Sequence, residues 1–73
     1  MRVVMNVPHM TSDDDAREVT ETLAPIEGVR SVTADLAAQA VLVDYDDTVV
    51  NMERMKTALR NENYEVAGAE LAH

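Results

Sequence analysis

A four-stranded antiparallel sheet carrying two helices on one face, in the order β-α-β-β-α-β, is the α+β fold class that this 73-residue sequence predicts. Three observations predict it. Two stretches of helical apolar periodicity, one after Ser12 and one after Asn51, stand among four stretches of period-two alternation. The second and third strand candidates are separated only by Ala37 to Gln39, a hairpin length, so they run antiparallel. Each helix bridges two strands, and right-handed crossovers fix the side on which it lies.

The first strand spans Arg2 to Val7, with Val3, Met5 and Val7 alternating against Arg2, Val4 and Asn6. Pro8 closes it. Thr11 and Ser12 are N-cap candidates, and Asp13, Asp14 and Asp15 suit the positive end of a helix dipole. Ala16, Val19, Leu23 and Ile26 share one face of this helix, which Pro25 and Gly28 end. Val29 to Leu36 is the second strand, with Val32, Ala34 and Leu36 on one side; Ala40 to Tyr45 is the third, with Val41, Val43 and Tyr45 inward. Asn51 caps a second helix whose apolar face is Met52, Met55, Ala58 and Leu59. Asn63 falls where a left-handed residue would end that helix. Tyr64 to Ala69 is expected as the last strand and Glu70 to His73 as a frayed tail. The result is two βαβ halves of similar length, the split βαβ or ferredoxin-like arrangement. One domain is expected over residues 1–73, its core at about 2–69.

Composition narrows the function classes. Fourteen acidic against six basic residues give a formal net charge of −8, which opposes binding to nucleic-acid phosphates or an anionic membrane surface. A hydrophobic share of 47% is too high for a disordered acidic tail, so the chain is expected to fold. The absence of cysteine excludes disulfides, thiolate metal sites and cysteine nucleophiles. No apolar run approaches the roughly 20 residues that cross a bilayer. Pro8 and His9 come before any long apolar stretch, so no secretory leader is expected and the location expected is cytoplasmic. There is no Gly-rich phosphate loop, no plausible Ser-His-Asp set and no His-x-x-x-His, so an enzyme is not expected.

His9-Met10-Thr11-Ser12-Asp13-Asp14-Asp15 stands where the heavy-metal-associated (HMA) family carries Gly-Met-Thr-Cys-x-x-Cys, and on these residues the chain resembles that family. The resemblance continues through Gly28-Val29, Val32, Ala34, Leu36, then Val41, Val43, Tyr45 and Asp46, and on to Asn63-Tyr64-Glu65-Val66. It covers roughly Arg2 to Ala67. The family includes copper chaperones, mercury-binding proteins and the N-terminal modules of metal-pumping ATPases, so the resemblance implies a relation to metal transport. Its chemistry is altered here. Ser12 and Asp15 replace the two cysteines, and a hydroxyl and a carboxylate are hard donors that hold Cu(I) poorly.

The metal site expected is therefore His9, Ser12 and Asp15, binding weakly a hard or borderline divalent ion such as Zn²⁺, Ni²⁺, Mn²⁺ or Ca²⁺. Each residue also has a plainer reading. His9 doubles as an exposed loop histidine, and Ser12 with the three aspartates is what any helix start favours. Met10 reads as core packing rather than a thioether ligand. Tyr64 matches a family position close to the metal loop and can equally cover the end of the core. Asp44, Asp46 and Asp47 lack the central Gly of a calcium loop, Val49 standing there, and read as a solvated turn. The partner expected is a metal-transporting ATPase or another protein with a basic docking surface. The alternative is an interaction or regulatory module that uses no metal, an ACT-like ligand sensor being the weaker form of it. High Asp/Glu with a single lysine, Lys56, also resembles the surfaces of proteins from salt-loving organisms.

Overall fold

The structure, a computed structural model, describes residues 1–72. Its elements follow the expected order: β1 (Arg2–Asn6), α1 (Asp13–Leu23), β2 (Val29–Asp35), β3 (Ala40–Tyr45), α2 (Met52–Asn61) and β4 (Gly68–Ala72). One antiparallel sheet has the strand order β2-β3-β1-β4, so the first and third strands are central. Register places Val3 opposite Val43 and Met5 opposite Val41, and all four side chains are fully buried. Each strand turns one row of side chains inward, and the helices cover that row with Val19, Leu23, Met55 and Leu59. The core contains no Phe or Trp; it is Val, Met and Leu, closed at its ends by Tyr45 and Tyr64. Full burial of each such aliphatic side chain contributes about 1.5–3 kcal/mol.

Local chemistry sets the boundaries. Ser12 is extended (φ −141°) and its hydroxyl accepts the Asp15 N–H, capping α1. Asn51 does the same for α2, accepting the Arg54 N–H at 2.8 Å. Gly28 has φ +96°, and a Cβ there would lie 2.9 Å from both Val49 Cβ and Val50 Cγ1. Only glycine fits that approach of the α1–β2 turn to the β3–α2 loop. The C-terminal turn of α2 is a Schellman motif. Asn63 is left-handed (φ +67°), its N–H donates to the Arg60 carbonyl at 3.0 Å, and the Tyr64 N–H donates to the Leu59 carbonyl at 2.9 Å.

The last strand differs from expectation. Tyr64 to Val66 forms no strand; the segment leaves the Schellman turn with Tyr64 buried and Val66 packed against the core. Pairing begins when the Ala67 N–H reaches the Asn6 carbonyl at 2.9 Å, and β4 then runs antiparallel to β1 from Gly68 opposite Asn6 to Ala72 opposite Arg2. Glu70 to Ala72 are thus strand rather than frayed tail, because β1 offers its free edge along its whole length. His73 lies outside the described residues.

Candidate functional site

Pro8 removes a ladder donor and ends β1, and the Met10 N–H turns back to the Val7 carbonyl at 3.0 Å. Met10 is fully buried, so its side chain anchors the loop from below. The β2–β3 turn holds the loop from the side. Gln39, left-handed at φ +51°, accepts the Val7 N–H at 2.8 Å and donates Nε2–H to the Pro8 carbonyl at 2.9 Å. Gln39 carried no signal in the sequence, since glutamine is not a usual left-handed residue.

Ser12 and Asp15 are brought together, but as parts of a helix cap. While Ser12 Oγ accepts the Asp15 N–H at 3.2 Å, Asp15 Oδ2 reaches back to accept the Thr11 N–H at 3.0 Å and the Thr11 hydroxyl at 3.2 Å. This is the reciprocal logic of a capping box, shifted by one residue. The other oxygen, Oδ1, accepts the hydroxyl of Tyr64 at 2.8 Å. Tyr64 is carried there by the Schellman turn and is only 6% exposed. Its oxygen also lies 3.1 Å from Glu18 Oε2, one turn further along α1. A phenol has one proton to donate, so two carboxylates share it.

The electrostatics follow. The Thr11 backbone N–H, then the Tyr64 hydroxyl, hold the Asp15 carboxyl below its ordinary value against the opposing effect of burial. Burial, then hydrogen bonds to Asp15 and Glu18, push the Tyr64 phenol far up, so it stays a proton donor. His9 is exposed at the rim and lines an open hollow of ≈ 400 Å³ with Arg60, Asn63 and Glu65. Among the described residues no hydrogen bond joins His9 to Ser12 or Asp15, and no group of three His, Cys, Asp or Glu residues is placed to hold a metal ion. In the other acidic cluster, Asp46 Oδ1 accepts the Thr48 N–H at 3.0 Å and the Thr48 hydroxyl at 2.6 Å, and Asp46 Oδ2 faces Arg30 at 3.8 Å. Asp44 faces the N-terminal amine at 3.8 Å.

A ferredoxin-like sheet that presents one capped loop between its first strand and first helix, beside a tyrosine leaving its second helix, defines a class of small α+β modules built around that loop. The sequence pattern of the heavy-metal-associated domain matches residues 4–65, and the chain belongs to that family. Among relatives, the copper chaperone CopZ of Staphylococcus haemolyticus (strain JCSC1435) is 40% identical over 63 residues, 86% of this chain and 93% of that protein. A solved CopZ metallochaperone superposes with a TM-score of 0.88 at 31% identity, over 92% of this chain and all of that one. The fold is also that of a copper-binding domain from a P-type ATPase, with a TM-score of 0.84 at 24% identity over 100% of this chain and 96% of that one. No helix among the described residues is long and apolar enough to cross a membrane.

Proposed function

We propose that the chain is a single non-catalytic module of cytoplasmic metal transport whose first loop holds soft ions poorly and a hard or borderline divalent ion weakly, through His9, Ser12 and Asp15. The observation that supports this most is the state of Asp15: both carboxylate oxygens already accept hydrogen bonds, from Thr11 and from Tyr64. An entering cation competes with those donors, and the oxygens it meets suit Zn²⁺, Ni²⁺, Mn²⁺ or Ca²⁺ better than Cu(I). The kinship to proteins named as copper chaperones supports a role beside a metal-transporting ATPase. A formal charge of −8 on so small a body steers it toward a partner with a basic docking surface. The same closure of the loop by its own hydrogen bonds favours a second reading, a docking module that works without metal.

Titration with Zn²⁺ and with Ca²⁺, followed by amide chemical shifts over residues 9–15, tests the first reading. Saturable shifts confined to that loop, with Kd of about 0.1–1 mM as in weak oxygen-ligand sites, are expected. Loop amides that do not move would leave the metal-free docking reading.

A further inference from the structure

We infer that Glu18 is a positioning residue for the first loop, competing with Asp15 for the single proton of Tyr64 and so setting how firmly that loop is closed. The inference rests on the proposed role of the Asp15 loop and extends it to a residue outside that loop. Three distances carry it. Tyr64 Oη lies 2.8 Å from Asp15 Oδ1 and 3.1 Å from Glu18 Oε2, and Asp15 Oδ2 holds the Thr11 N–H at 3.0 Å. The phenol cannot donate fully to both carboxylates. Whatever share Glu18 takes is lost to Asp15, whose orientation fixes the Thr11 backbone at the loop's rim. The phenol is buried and enters from the end of α2, so neither carboxylate can draw it away by moving the loop. Glu18 itself is exposed and contributes nothing to the core. The arrangement leaves Glu18 as the adjustable member: a donor placed there would bond the phenol oxygen and return the whole proton to Asp15.

Hydrogen exchange of the Thr11 amide in the full chain, with no metal present, reads this closure directly. In Glu18→Gln the side-chain amide donates to Tyr64 Oη, and Thr11 exchange is expected to slow about three- to tenfold. In Tyr64→Phe the Asp15 carboxylate loses its second anchor, and exchange is expected to quicken by a similar factor. Zn²⁺ affinity, read by the same loop shifts, should fall in the first variant and rise in the second. Unchanged or faster Thr11 exchange in Glu18→Gln overturns the inference, and that variant decides the matter even if Tyr64→Phe folds poorly. Should exchange respond as expected while no variant binds Zn²⁺, the positioning role stands and the weak-metal reading fails.

Discussion

At the scale of single residues, the carboxylate of Asp15 closes the first loop, accepting from Thr11 on one oxygen and from Tyr64 on the other. Asp15 ends up as a cap because the third position of a helix lets a short acidic side chain turn back onto free N–H groups. That half of its role was legible: Thr11, Ser12 and three aspartates announce a helix start. The bond to Tyr64 was not, because its partner lies 49 residues away and only the Schellman turn at Asn63 brings it home. The depressed Asp15 pKa has a consequence in acid. Its stabilising contribution is complete above the ordinary carboxylate value of 3.8 and is lost as pH falls through the lower folded value. Asp46, held down by the Thr48 hydroxyl and then the Thr48 N–H, adds to the same window. Thermal melts should therefore weaken as pH falls below 3.8, and Asp15→Asn should melt lower than wild type at pH 7 but lose less on acidification. Parallel pH profiles for the two proteins would contradict the network.

Among the elements, those with chemical punctuation were legible, and the bounds of β4, set by pairing alone, were not. Ser12, Asn51 and Asn63 each stand at the helix end where their side chain or backbone is needed, and the apolar rows of β1 and β3 point inward as their alternation requires. The last strand shows the contrary case. Tyr64-Glu65-Val66 alternates like a strand, yet its place is fixed by the helix end before it, and the true strand starts where Ala67 and Gly68 meet Asn6. Nothing local marks that meeting. Within Gly68–Ala72, the part from Glu70 onward reads as a tail until β1 supplies its partner. A chain ended at residue 67 tests the point, since it removes every backbone pair between β1 and β4. Broad, non-cooperative melting is expected for the shortened chain; an unchanged Tm would mean that the segment contributes no more than a tail.

Across the whole molecule, charge and framework are separable. The net charge of −8 sits on a body with a radius of gyration of 10.7 Å. At 0.1 M salt the screening length is about 10 Å, so acidic groups still repel across the molecule; at 1 M it is about 3 Å and they do not. Tm should accordingly rise between those salt concentrations, and a flat or falling Tm would count against stored repulsion. The framework is that of the heavy-metal-associated family along nearly the whole chain, while the chain has no cysteine. On the function proposed, the altered metal chemistry lies in two side chains, Ser12 and Asp15, rather than in the fold. Both stand at the start of α1, where the dipole favours a thiolate, although Asp13 and Asp14 oppose it. A Cu(I) competition titration against a chelator, run on the wild-type chain beside the folded Ser12→Cys, Asp15→Cys double variant, tests this most directly. No stoichiometric Cu(I) complex is expected for wild type, and one bound Cu(I) for the double variant. A tight wild-type complex, or a folded double variant that takes up no Cu(I), would contradict this expectation.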